Sequence, residues 1–305
     1  MFHESRYILW NQELRDCHVP FWHQNCSSRS ALFPKWFASL SVFRLAQVYL
    51  RERDTRQITK CALECTIVLI LALDTCDARG GVALLQGESL LRAEPHVTSE
   101  DYSSWLLPAV TRVLAPDGLT LRDVELYVVA AGPGSFTGVR VGLTTVKAWS
   151  EVYGRPIASV SRLEALATEG VGSSAYVAAF IDARRDQIFA ALYRRQTAAL
   201  ERIDQEMVIA PDKFLEWCAA KAGSDTIDWT STDPACLAET PKWASRLASN
   251  ETIQEVSALL APRIGQIGHR LACQNRLTDA LSLDANYVRR SDAELFWKGP
   301  SHHAA

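Results

Sequence analysis

Three features of the sequence have the residue types and spacing to do chemistry. The first is the loop Gly132-Pro133-Gly134-Ser135-Phe136-Thr137-Gly138, set between an apolar run and a helical pattern. A strand, a tight glycine turn and a helix N-terminus together offer free backbone N–H groups and the positive end of a dipole, which suits an anion. The spacing is GxGxxxG and no GK[ST] follows, so neither the dinucleotide fingerprint nor the P-loop is met. The competing reading is a turn capped by Ser135 or Thr137, with Gly138 and Gly142 letting another backbone come close. The second and third features are Asp74 and Asp182, each closing an apolar run ahead of a tight turn. Carboxylates at strand ends can hold a metal–nucleotide, whereas as turn residues they bond their own backbone. The turn after Asp182 reads ARRD and has no glycine through which a phosphate could approach closely.

Other chemistries lack their residues. The seven histidines make no HxxxH or HExxH, and none stands at ligand spacing from a cysteine or carboxylate, which argues against a helix-borne metal site. The eight cysteines make no CxxC pair, so zinc-ribbon and thioredoxin readings fail. There is no GxSxG elbow, and Ser135 has no identifiable His or Asp partner.

The elements that must position these residues follow from periodicity. Residues 68–75, VLILALDT, read as a buried strand, and CDARGG turns the chain into a returning strand, VALLQG. Residues 98–114 read as a helix with an acidic first turn, kinked at Pro108 and ended by Pro-Asp-Gly at 116–118. Residues 124–131 form the next strand and run into the glycine loop, after which a long helix closes at Gly154. Residues 176–182 and 187–193 repeat the opening hairpin, 108 residues on from Asp74 to Asp182, which suggests an internal duplication. Helices follow at 212–222 and 261–275. Strands alternating with helices indicate an α/β fold. The first helix carries an apolar stripe through Leu106, Val110 and Val113, and the second through Val139, Leu143 and Val146. Packing on the sheet is the default reading of such a stripe, and contact with a partner helix is the alternative.

The 305 residues carry 32 basic and 35 acidic side chains, a formal charge of −3. Nothing in that balance provides a cationic field for nucleic acid or an anionic membrane. The longest apolar run, residues 67–73, is far below the roughly 20 residues of a membrane span. The N-terminus has no basic segment followed by a long apolar one, so secretion is not expected, and a reduced cytoplasmic setting fits best. Residues 1–67 differ in texture: they hold three of the nine tryptophans and four of the eight cysteines, and their charge of +3 leaves −6 for residues 68–305.

Four segments, in order and at matching separations, carry a family resemblance: ILALDT (70–75), GPGSFTGVRVG (132–142), AFIDARRDQIFAALY (179–193) and YVRRSDAELFW (287–297). Together they resemble the TsaB (YeaZ) family over about residues 68–298, and GPGSFTGVR is its most specific element. The resemblance implies an actin/Hsp70-like (ASKHA) α/β fold of two ribonuclease-H-like lobes, at 68–165 and 166–256, with a C-terminal helix and tail at 257–305. It also implies a non-catalytic scaffold for TsaD, which places threonylcarbamoyl on N6 of adenosine 37 of tRNA, with TsaE docking on the pair. On this reading there is no intrinsic cofactor. ATP and threonylcarbamoyl-adenylate are used by partner subunits, tRNA is met mainly through TsaD, and a homodimer is the alternative when TsaD is absent. Tyr102 stands where the first helix of a catalytic relative would offer a histidine. The candidate partner-binding residues are Leu106, Val110, Val113, Val139, Leu143 and Val146. Asp74, Thr75, Gly132, Gly134, Ser135 and Asp182 are the candidates for a vestigial anion or nucleotide cleft.

Residues 1–67 depart from the family pattern. No Met lies between Met1 and Met207, and Val68 or Leu69 is well placed for an alternative start codon. An over-extended gene start is therefore expected in preference to an added domain, and the segment is expected to be poorly ordered if translated. The competing functions are a Mg-ATP-dependent small-molecule kinase of the same fold, which needs a glycine-rich phosphate turn in each lobe, and a metallopeptidase, which needs the absent histidine motif.

Overall fold

A computed structural model describes residues 68–96, 99–197, 199–247 and 251–289 of the chain. The expectations for residues 1–67, and the part of the YVRRSDAELFW segment beyond Arg289, lie outside the described residues. The rest belongs to one compact unit.

Strand β1 (Leu69–Asp74) is apolar at every position before its final aspartate, because both of its faces are covered and all six residues are buried. It pairs antiparallel with β2 (Gly81–Gln86), which pairs with the edge strand β3 (Ser89–Pro95). On its other side β1 runs parallel to β4 (Leu126–Ala130), and β4 to β5 (Ile157–Val160). The five-stranded order is thus β3-β2-β1-β4-β5. A second sheet repeats this plan. Its β6 (Tyr176–Asp182) pairs antiparallel with β7 (Ile188–Arg195) and parallel with β10 (Ile227–Ser231), which pairs with β11 (Ile253–Glu255). Short strands β8 (Leu200–Arg202) and β9 (Met207–Ile209) both pair antiparallel with β7. The duplication read from the two Asp-ended runs is therefore a repeated strand topology.

Period-two alternation along β6 and β7 divides their side chains between two cores. Val177, Ala179, Ile181, Phe189, Ala191 and Tyr193 join the core of the first sheet. Tyr176, Ala178, Phe180, Ile188, Ala190 and Leu192 face the opposite way, onto Phe214 and Trp229.

Helix α1 (Tyr102–Leu114) starts later than the acidic residues ahead of it suggested. Asp101 takes the extended N-cap conformation, so Glu100 and Asp101 precede the helix and its first turn holds no acidic residue. Leu107, next to the stripe residue Leu106, points outward and is 55% exposed. Helix α2 (Phe136–Tyr153) is capped by Ser135 and closed by left-handed Gly154. Between the sheets lies the short helix α3 (Arg162–Glu169). Beyond it come α4 (Pro211–Ala222), α5 (Ala235–Ala238) and α6 (Pro241–Leu247), and α7 (Ala261–Cys273) returns to the first sheet.

The approach of α7 is close because it brings glycine to the contact. A Cβ on Gly268 would stand 2.4 Å from both Cγ atoms of Val128, and one on Gly265 would stand 2.4 Å from a Cδ of Leu85. Gly142 of α2 faces Val129, the next residue of β4, so the two helices cover opposite faces of the sheet. Val128 is buried and β-branched and cannot turn aside. Gly268→Ala should therefore destabilise the protein by about 1–3 kcal/mol, read as a lower urea midpoint at unchanged slope; an unchanged midpoint would mean that α7 can slide outward.

Candidate functional site

The ends of β1 and β6 open onto a cleft of about 1060 Å³. Thr75, Gly134, Ser135 and Asp182 line it, whereas Asp74 and Gly132 do not. Asp74 is completely buried behind the wall, and both of its oxygens are in use. Oδ1 accepts from the Cys76 N–H at 2.9 Å, and Oδ2 accepts from Arg162 Nε at 3.0 Å. Arg162 Nη2 donates to Asp77 at 3.1 Å, so one guanidinium joins two carboxylates. It is 1% exposed. Burial alone would lower its affinity for the proton, yet Asp74 and Asp77 hold it above the ordinary arginine value. Burial likewise pushes Asp77 upward, and Arg162 with the Ala78 N–H outweighs it, leaving that carboxyl below its usual range. Burial and the Asp74 charge push the Cys76 thiol well up, which leaves it a protonated donor to the Ala130 carbonyl.

The glycine loop owes its composition to this packing. A Cβ on Gly138 would stand 2.0 Å from the Thr75 carbonyl oxygen, one on Gly134 2.2 Å from that of Cys76, and one on Gly142 2.5 Å from Thr75 Oγ1. Gly132 adopts φ +107°, and its carbonyl accepts from the Arg162 N–H at 2.8 Å. Ser135 Oγ accepts from the Gly138 N–H at 3.4 Å, and Thr75 Oγ1 donates to the Gly138 carbonyl at 2.7 Å. The close-approach and capped-turn readings of the loop are thus realised. The structure brings Asp74, Thr75, Gly132, Gly134 and Ser135 together as one packed joint.

Asp182, in the second sheet, takes the turn reading. Its Oδ1 accepts from the Arg184 N–H at 2.7 Å, and Arg184, Arg185 and Asp186 follow in the left-handed region. At the first turn Tyr102 donates to the Asp77 carbonyl at 2.5 Å and accepts from the Gly80 N–H at 2.9 Å. The ring of His96, buried beside it, stacks on Tyr102 at 4.2 Å.

Two expectations need correction. Leu106, Val110, Val113, Val139, Leu143 and Val146 are 0–6% exposed, inside the chain's own core, because each stripe faces the sheet. They offer no surface to a partner. Second, a histidine does stand at ligand spacing from a cysteine: His269 and Cys273 are one turn apart on α7, with Nε2 and Sγ 3.8 Å apart. Among the described residues no group of three metal-ligating side chains accompanies them.

Sequence reading missed Arg162, which the site depends on. A signal was present, since it is the first residue of α3, where the helix dipole disfavours a cation and a basic residue therefore needs an acidic partner.

Comparison with known proteins decides the family. A family model described as TsaD, tRNA N6-adenosine threonylcarbamoyltransferase, matches residues 93–242. The TsaB of Haemophilus influenzae, named a tRNA threonylcarbamoyladenosine biosynthesis protein, is 34% identical over 240 residues, covering 75% of this chain and 95% of that one. The chain belongs to the TsaB family. The TsaB of Bacillus subtilis is 35% identical over 143 residues, 46% of this chain, and the match spans 62% of that protein's length. The solved structure of YeaZ from Pseudomonas aeruginosa superposes with a TM-score of 0.60 at 25% identity, covering 72% of this chain and 99% of that one. TsaB membership agrees with a mixed α/β fold containing two sheets, and the TsaB relatives are themselves named for threonylcarbamoyladenosine biosynthesis on tRNA.

Removing one member of a buried ion pair strands the other. Arg162→Met should cost about 3–5 kcal/mol, and Asp74→Asn in the same chain should recover much of it, both measured by urea unfolding. Full additivity of the two losses would mean that the pair is not coupled. The acid limb of stability carries a second expectation. The folded-state pKa of Asp77 lies below its unfolded value near 3.8, so its contribution is present above about pH 4 and is lost as pH falls through the lower folded value. Asp77→Asn should flatten stability against pH in that acid window and leave the slope near neutrality unchanged.

Proposed function

We propose that this chain is a non-catalytic subunit of the machinery that places threonylcarbamoyl on N6 of adenosine 37 of tRNA. It binds and activates TsaD and recruits TsaE, working in the cytoplasm. The fold supports two ribonuclease-H-like lobes in the actin/Hsp70-like manner, one on each sheet. The observation that carries the non-catalytic reading is Asp74: its carboxylate is buried and fully engaged by Arg162 and Cys76, and Asp182 is engaged by its own turn. A Mg-ATP-dependent kinase of the same fold would need those carboxylates free and a glycine at the second turn. ATP and threonylcarbamoyl-adenylate are then handled by partner subunits, and tRNA is met mainly through TsaD.

The helices α1 and α2 remain the surface proposed for TsaD, through their outward positions and not their stripes. Leu107, Thr111, Thr144 and Ala148 are exposed and uncharged. Uncharged residues at the middle of a helix face let a partner helix approach there without stranding charge, with Arg140 and Glu151 left at the two ends of the α2 face. The test is threonylcarbamoyladenosine formation on tRNA with cognate TsaD, TsaE and the adenylate-forming enzyme, with and without the full chain. Modification should require the chain, and the chain alone should turn nothing over. Ala148→Glu should lower the rate at least about tenfold at unchanged thermal stability. Equal modification without the chain would end the proposal.

A further inference from the structure

The two sheets meet across the cleft through polar ties at both rims. At the first rim Arg79, from the turn after β1, donates to Asp233 at 2.5 Å and to the Thr232 carbonyl at 3.3 Å. Asp233 and Thr232 follow β10 of the second sheet, and Thr232 is buried, so this anchor is firm. Arg79 also lies 3.5 Å from Asp77, which pairs with Arg162. An alternating chain Arg162–Asp77–Arg79–Asp233 therefore runs from the buried joint to the other wall.

At the second rim the segment 284–289 crosses over. It is pinned to the first sheet's loop, where the Asn286 N–H donates to the Ala131 carbonyl at 2.8 Å. Arg140 donates to the Tyr287 hydroxyl at 3.0 Å, and Phe136 stacks on Tyr287 at 5.2 Å. Its far end reaches the second sheet's turn, with Arg289 donating to the Ala183 carbonyl at 2.8 Å and to Gln187 at 2.5 Å.

We propose that the cleft is self-clasped: Arg79 at one rim and Arg289 at the other hold the facing loops of the two sheets at a fixed separation across its mouth, the task a ligand bound between two walls would otherwise perform. Each clasp joins a loop of one sheet to a loop of the other, so either alone resists opening. Neither depends on the function proposed above. The Arg79–Asp233 pair is partly exposed, with side chains 47% and 33% accessible, so salt screens it and weakens that clasp.

Amide hydrogen exchange of the full chain tests this, using Arg79→Met, Arg289→Met and the double variant. Clasping predicts an effect at a distance. Arg79→Met should speed exchange at residues 183–187, which Arg79 does not bond, and Arg289→Met should speed it at residues 78–80. Each change should be at most about fivefold, the scale of an exposed ion pair. The double variant should exceed the product of the singles, because each clasp backs up the other. Sodium chloride at 1 M should reproduce the Arg79→Met pattern in the wild-type chain. Peptides from β1 and β4 report global unfolding and should not change. Changes confined to each arginine's own neighbours, or no change even in the double variant, would overturn the proposal.

Discussion

The buried ion pair of Arg162 with Asp74 is the constraint from which the rest of the site follows. A guanidinium at the first position of a helix opposes the helix dipole, and burying it costs several kcal/mol unless its partners are well placed. Those partners sit at the end of β1, so the start of α3 must lie against that strand end. The glycine loop and the first turns of α2 must then lie directly against residues 74–76 with no side chain to spare, which is what Gly134, Gly138 and Gly142 supply. One electrostatic requirement thus fixes a helix start, a strand end and a loop composition together.

Carboxylates at the ends of paired strands are a common starting point for metal and phosphate chemistry. What separates a site from its residue list is whether the oxygens are free. Here Asp74 spends both on groups of its own chain, and Asp182 turns both toward Arg184 of the turn it closes. In the cleft wall Asp77, Arg162 and Asp182 are therefore bonded within the chain, beside the apolar Phe136, Ile181 and Phe189.

The central strands were legible because a strand covered on both faces must be apolar throughout, and both 68–73 and 176–181 have that character. The helix after the glycine loop was legible for the same reason, through its stripe and its terminal glycine. Pattern alone leaves open which way a stripe faces: Val139, Leu143 and Val146 would look identical in a core or at an interface. Arg162 escaped notice because its partner, Asp74, is 88 residues away, and only tertiary contact joins them. The start of α1 was misplaced because acidic residues favour a helix's first turn and the positions ahead of it almost equally.

The division of β6 and β7 between two cores has a consequence for folding. Half of the apolar side chains of that hairpin, Phe189 and Ile181 among them, are the inner wall of the first sheet's core. Stripped of the first sheet, the second would present that wall to water, and the first would lose its cover in the same event. The repeated topology therefore does not make two autonomous folding units. Each half completes the other's interior, so the described chain should gain and lose its structure in a single cooperative step.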